Sequence, residues 1–413
     1  MRILRHAYVA LAIAFPTTAC GAIQATPASA STQISSSTES GAVRPIPVRI
    51  VYRVPGNNQD PAWSLTGARG NGVWSWDVGS RSSINYVSGV NDRERVYWLP
   101  RNCCGGGDRA FPGLAVAPNG TVWGVLNHSL IELNPTTGRL SISSLPSAAA
   151  TSGEPPTDLD LSENSADLVA ISPDGKELIV GFEYAAAVAL YGLRGNAVRP
   201  RPSMIPLPPG YMALDIAVLA DGTIGIGLER FGPRSDSEIY LLRRDGSTIR
   251  VPVPNGWGVA ADGDGFLVGD LSPVFVSESG RIGPVPASFT LPQGDTWAAN
   301  AGDSGPDPLS VMPGGLIVRP IDRGKLEVAS RVRDALFAMP RQRYPNAALS
   351  CGGCGLGSTT TTLVPPPEWV WQRDPVAQTA VDGEGDIWVL TQTPAFTIAF
   401  AEIPSAQLHA AFR

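Results

Sequence analysis

The chain has 413 residues, 43% of them hydrophobic and only 16% charged, with a formal net charge of −6. That length exceeds one ordinary compact domain unless the domain is built from repeats. The arginines are scattered without forming a run that could follow a phosphate backbone, which argues against nucleic acid as a partner. Gly (45) and Pro (38) suit many short strands joined by tight turns, so the composition points to an all-β fold.

In chain order, Met1-Arg2-Ile3-Leu4-Arg5-His6 precedes the apolar stretch AYVALAIAF and then Pro16, Thr17, Thr18, Ala19, Cys20 and Gly21. Two arginines before an apolar stretch too short to span a bilayer have the form of a cleaved secretory signal. The small residues before Cys20 resemble the lipobox of bacterial lipoproteins, where that cysteine is diacylated and becomes the new N-terminus. Thr17 departs from the usual Leu, and ordinary cleavage near ATPASAS is the alternative. Residues 1–19 are therefore expected to be a signal peptide. Residues 20–45, rich in Ser, Thr and Ala, are expected to be a lipidated Cys20 and a flexible tether. The expected location is the bacterial cell envelope, with the protein exported and held by its N-terminal lipid.

From residue 46 to 404 a β-rich stretch ending in an aliphatic residue before Pro recurs eight times: Val54-Pro55, Leu99-Pro100, Leu145-Pro146, Leu207-Pro208, Val253-Pro254, Val285-Pro286, Met339-Pro340 and Ile403-Pro404. Eight closures bound seven units, most of them the length of one four-stranded blade. In residues 113–146 three turn signals separate four short strands, an antiparallel meander. An apolar strand, a D/N-G type turn and a second apolar strand return in 167–184, 213–231, 258–270 and 378–390. Val73, Trp74 and Trp76 fall on the second strand of the unit at 62–99, and 307–340 is a weaker sixth unit. Both strands of each pair read as apolar because one lines a central channel and the other lies between neighbouring blades.

The expected fold is thus an all-β, seven-bladed β-propeller of four-stranded antiparallel blades over residues 46–404. The last unit offers three strands, and IPVRIVYRVP at 46–55 is a strand with no unit before it. Residues 46–54 are expected to complete the last blade and remove an exposed edge; pairing elsewhere is the alternative. Residues 405–413 are read as a C-terminal tail.

Phrases such as GLAVAPNGTVWGV followed by LIELNPTTGRLSISSLP resemble blades of the streptogramin (virginiamycin B) lyase, NHL and SMP-30/gluconolactonase-like propellers, and the resemblance covers most of residues 46–404. The lyase resemblance implies a magnesium site and a catalytic histidine. The histidines are His6, His128 and His409, in the signal, a hairpin turn and the tail, and none is placed as a general base. The lactonase-like resemblance implies a divalent metal held by Glu, Asn and Asp side chains at the channel mouth, for which Asp215, Glu229, Asp262 and Asp307 are the candidates. Asp262 lies in a turn phrase common to the blades, and carboxylates beside D-G turns are more often turn formers. No other cofactor is expected.

Beyond Cys20 the cysteines are Cys103 and Cys104 in RNCCGGGDR, and Cys351 and Cys354 in SCGGCGLGS. Both pairs lie in connections between blades on the same face, and an even number in an exported chain suggests disulfides. The options are cross-bridges between the pairs in either order or two local bridges; cross-bridges are favoured because a vicinal bridge is strained. A redox dithiol at Cys351/Cys354 lacks its βαβ context, and a zinc site lacks the spacing at Cys103/Cys104.

Connections at 147–166, 287–306 and 341–375 are long, and long loops on a rigid scaffold are where recognition sits. Trp297, Trp369 and Trp371 fall in them. They are candidate ligand-binding residues, or plugs packed over the channel. The functional expectation is a lipid-anchored, non-catalytic binding or scaffold protein, a monomer whose partner is an envelope protein or a carbohydrate. The alternative is a metal-dependent lyase or lactone hydrolase.

Overall fold

The computed structural model describes residues 44–45, 49–54, 64–77, 82–91, 93–100, 103, 113–126, 128–145, 166–182, 187–194, 197–198, 202–230, 236–253, 258–269, 274–283, 310–311, 317–321, 325–329, 334–338, 359–362, 376–392 and 398–412. All belong to the compact unit Gly41–Arg413. The chain is an all-β propeller of four-stranded antiparallel blades.

Two short strands come first, β1 (Arg44–Pro45) and β2 (Arg49–Val54). A first meander runs through β3 (Ser64–Gly67), β4 (Gly72–Asp77), β5 (Ser83–Ser88) and β6 (Arg93–Trp98), and a second through β7 (Gly113–Val116), β8 (Val122–Leu126), β9 (Ser129–Asn134) and β10 (Arg139–Ser144). The third holds β11 (Ala166–Ile171), β12 (Glu177–Phe182) and β13 (Ala187–Arg194), with β14 (Ala197–Val198) and β15 (Ser203–Pro206) both paired to β13. The fourth is β16 (Tyr211–Val218), β17 (Ile224–Arg230), β18 (Ser237–Leu242) and β19 (Thr248–Pro252); the next is β20 (Val259–Asp262), β21 (Gly265–Val268), β22 (Val274–Ser277) and β23 (Ile282–Gly283). Then come β24 (Ser310–Val311), β25 (Ile317–Ile321), β26 (Lys325–Ala329) and β27 (Asp334–Ala338), with β1 parallel to β27. Strand β28 (Thr359–Thr362) returns to pair with β6. Finally β29 (Val376–Val381), β30 (Ile387–Gln392) and β31 (Ile398–Ile403) share a sheet with β2, followed by the helix α1 (Ser405–Phe412).

Among the described residues the strands therefore fall into seven sheets, and β2 runs antiparallel to β31 from Arg49↔Glu402 to Val54↔Ile398. First strands touch neighbour to neighbour: β3 with β7, β7 with β11, β11 with β16, β16 with β20, β20 with β24, β24 with β29 and β29 with β3.

The core lies between the sheets. Trp76, Ile84, Leu99, Val122, Ile131 and Leu133 fill the first seam, and the later seams carry aliphatic sets of the same kind. A single small sheet exposes both faces, so each blade is stable only between neighbours. The D/N-G phrases form the turns read from the sequence: the Ala117 amide bonds the Thr121 carbonyl and the Leu219 amide that of Thr223. Gly120 (φ 84°) and Gly222 (φ 91°) occupy the left-handed position that these turns require.

Three expectations are corrected. Residues 405–413 are not a plain tail, because α1 buries Leu408, 1% exposed, and its first amide bonds the Asp386 carboxylate of the last blade. Arg44–Pro45, assigned to the tether, form β1. The connection 341–375 is not all loop, because Thr359–Thr362 adds a fifth strand to the first blade; β-branched threonines favour extended pairing even inside a Gly- and Pro-rich segment.

Candidate functional site: a groove between the first two blades

Cross-strand register sets side chains of the first blade in rows on one face. Trp74 lies opposite Tyr86 and Tyr86 opposite Arg95; Trp76 lies opposite Ile84 and Ile84 opposite Tyr97; Ser88 lies opposite Arg93. With a side-chain period of two, Arg93, Arg95 and Tyr97 share this face, and Glu94, 4% exposed, turns to the other. The second blade covers the Trp76 row with Leu114, Val122 and Ile131. It stops short of the Ser88–Arg93 row. A groove of about 450 Å3 remains there, lined by Arg69, Trp74, Tyr86, Arg93, Arg95 and Tyr97, with the buried Glu94 also at its wall, and bounded on the second blade by Val116, Gly120 and Pro135.

The Trp74 ring lies 4.9 Å from that of Tyr86 and 5.8 Å from that of Tyr97, tilted by 41° and 36°. Arg95 Nη1 donates to the Tyr97 hydroxyl (3.2 Å) and to the Pro135 carbonyl (3.3 Å), and the Tyr97 hydroxyl also donates to Pro135 (3.3 Å). Arg69 donates to the carbonyls of Ala117 (3.1 Å) and Val116 (3.3 Å). These acceptors are neutral, so they orient two guanidinium groups without cancelling their charge. Burial pushes the Tyr86 phenol above its ordinary value, against the pull of nearby Arg95, so it stays a neutral hydroxyl. Sequence reading missed this site by treating the arginines as scattered. The signal was the alternation R-E-R-V-Y-W in 93–98, which puts two cations and a tyrosine on one face.

The seam on the other side of the first blade packs Val73 and Val87 against Trp388, Leu390 and Phe400, and polar contacts close its edge. Asp382 Oδ2 accepts from the Gly72 amide (3.0 Å) and Trp388 Nε1 (2.8 Å), and its Oδ1 accepts from the amides of Glu384 and Asp386 (both 3.0 Å). Asn71 Nδ2 donates to Asp386 Oδ2 (3.0 Å) and Glu402 Oε1 (2.8 Å), while Asp386 Oδ1 accepts from the Ser405 amide at the start of α1 (2.7 Å). Burial raises the Asp382 carboxyl above the usual carboxylate range.

Of the residues singled out in the sequence, Asp215 sits beside a register shift in β16. Its Oδ1 accepts from the Ile216 amide and its Oδ2 reaches the next blade to accept from the Val259 amide, both at 2.8 Å. The residue as a whole is half-buried, but its carboxylate is enclosed by the strands it bridges, and burial pushes it up to about 6. Glu229 is half-buried at the end of β17, and burial raises its carboxyl. Asp262 ends β20, three residues beyond Val259 and so about 10 Å along the strand. Among the described residues no three His, Cys, Asp or Glu side chains converge as a metal site. Cys103 is disulfide-bonded. Cys20, Cys104, Cys351, Cys354, Asp307, Trp297, Trp369 and Trp371 lie outside the described residues.

Among the described residues, a groove lies between the first two blades of this propeller. No family model and no curated protein matches the chain. Solved structures similar to it include hydrazine synthase of Kuenenia stuttgartiensis, with a TM-score of 0.50 and 12% identity over 81% of this chain and 93% of that one. The extracellular domain of a one-component system from B. thetaiotaomicron aligns with a TM-score of 0.47 and 11% identity over 86% of this chain; the chain spans only 39% of that domain's length. Regucalcin, a calcium-binding protein from Agrobacterium tumefaciens, aligns at 0.40 and 13% identity over 70% of this chain and 88% of that one. The resemblance to NHL/SMP-30-like propellers is therefore one of fold alone.

Proposed function

We propose that this protein is an exported, lipid-anchored propeller that works by binding a small anionic ligand rather than by turning one over. Seven blades form one closed ring in this reading, with β2 completing the last blade, and the cysteine pairs at 103/104 and 351/354 are cross-bridged. Cys20 carries the lipid, and Trp297, Trp369 and Trp371 serve recognition on the face that bears the long connections. The observation that carries the reading is the groove: an aromatic wall and three guanidinium groups, none paired with a carboxylate among the described residues. Catalysis at such a place would need a positioned base or nucleophile, whereas binding needs only the charge and the shape.

The test uses the mature protein and the double variant Arg93→Ala/Arg95→Ala. Wild type is expected to retain an anionic small molecule from envelope extract and the variant to lose it. Metal-dependent cleavage of a supplied lactone or streptogramin, equal in both proteins, would overturn the reading in favour of a lyase or lactone hydrolase. Cys20→Ala is expected to move the protein from the membrane to the soluble fraction.

A further inference from the structure

We infer that the groove between the first two blades takes a carboxylated sugar ring, the uronate unit of an acidic saccharide; this rests on the binding function proposed above. Three observations converge on that class. The first is charge. The exposed side chain of Arg93 has no hydrogen-bond or ion-pair partner among the described residues, Arg69 and Arg95 meet only carbonyls and a phenol, and the lining carboxylate Glu94 is 4% exposed. Elsewhere this chain does neutralise an arginine: Glu238 holds Arg250 through both oxygens, at 2.7 and 2.9 Å. A guanidinium fork left open in a protein of net charge −6 is matched by the two oxygens of a carboxylate.

The second observation is the wall. Trp74 and Tyr97, 4% and 5% exposed, form its floor, and the half-buried Tyr86 ring offers a π face whose negative quadrupole meets the weakly positive C–H face of a pyranose. The third is the rim. Asn91, Arg93 and Arg95 are exposed and Ser88 sits beside them, so a ligand in the groove keeps one side in water. Sugar hydroxyls tolerate that arrangement, whereas a flat apolar acid gains most from full enclosure. The volume of about 450 Å3 lies within the range of small-molecule sites.

Calorimetric titration of the mature protein with galacturonic acid, trigalacturonate, neutral galactotriose and indole-3-acetate tests the class. Trigalacturonate is expected to bind about tenfold or more tightly than galactotriose, and Arg93→Ala to lose about tenfold of that affinity. Equal binding of monomer and trimer identifies a free uronate as the source, and preference for the trimer identifies a polysaccharide; both support the inference. Binding of indole-3-acetate in place of the uronates, abolished by Arg93→Ala, overturns the sugar class and leaves the groove as a binding site. Galactotriose binding as tightly as trigalacturonate overturns the role given to the arginines. If neither acid binds wild type, both this inference and the function on which it rests fall. Arg93 is exposed, so its alanine variant is expected to unfold at the wild-type temperature, and that measurement separates lost binding from lost fold.

Discussion

The seam that joins β29–β31 to β3–β6 and the seam that joins β3–β6 to β7–β10 are made from the same strands in the same order, yet the first is latched and the second ends in a groove. Equivalent turn positions explain the difference. Asp382, whose amide bonds Asp386, corresponds to Ala68, whose amide bonds Gly72; Asn71 on the far side of the latched seam corresponds to Gly120 on the far side of the open one. The latched seam thus has a carboxylate with four donors and an amide bridging two acids. The open seam has a methyl group and no side chain at all in those two places. One ring can close a joint or spare it for a ligand by exchanging two turn residues.

The comparison breaks most visibly at Asp382. Asp382→Ala leaves four donors without their acceptor, two of them in the seam itself, and is expected to cost about 3–5 kcal/mol in urea unfolding; a cost below about 1 kcal/mol would mean that the latch is ornamental. Gly383→Ala comes next. A Cβ there would stand 1.7 Å from the Arg69 carbonyl oxygen, so backbone must move, at an expected cost of about 2–3 kcal/mol in the same measurement.

A third test concerns the seam bridged by Asp215, whose carboxyl is pushed up to about 6 in the fold against an ordinary value of 3.8. Because the folded value is the higher one, the fold takes up the proton first. Its stabilising effect is complete below the unfolded value and is lost as pH rises through about 6. Thermal unfolding between pH 5 and 8 is expected to show wild type losing about 1 kcal/mol more than Asp215→Asn. A wild-type slope unchanged by the substitution would contradict the enclosed carboxylate. The smallest effect is expected at Gly120→Asn, which puts an Asn71-like side chain into open space at the groove, with nothing within 4 Å of its Cβ. The positive φ should limit the cost to about 1 kcal/mol, while uronate binding is reduced by occlusion; unchanged binding would move the ligand elsewhere.

Much of the architecture was legible because it depends on local signals. Alternating apolar strands and D/N-G turns gave the meanders, and Val73, Trp74 and Trp76 fell on β4 as expected. The seams were not legible, because a turn residue and a latch look alike in one dimension. Asp382 forms its own turn through two amides and reaches across to Gly72 with its other oxygen. Asp215 was read as a candidate metal ligand, but it spends both oxygens on amides of two blades. The helix α1 was missed because SAQLHAAF carries a weak amphipathic pattern and owes its place to Leu408 and to the Asp386 carboxylate. The alternation in 93–98 signals a cationic face, but not that it lines a groove, because that depends on which side chains the second blade fails to cover.

The latch also sets an order of events. Asn71 and Gly72 belong to the first meander, whereas Asp382, Asp386 and Glu402 come from the last. A growing chain thus carries this blade with an unfinished flank until the blade of β29–β31 has been made. Deleting α1 and the strand before it would remove Glu402 and the cap on Asp386 together, and leave Asn71 with one of its two acceptors.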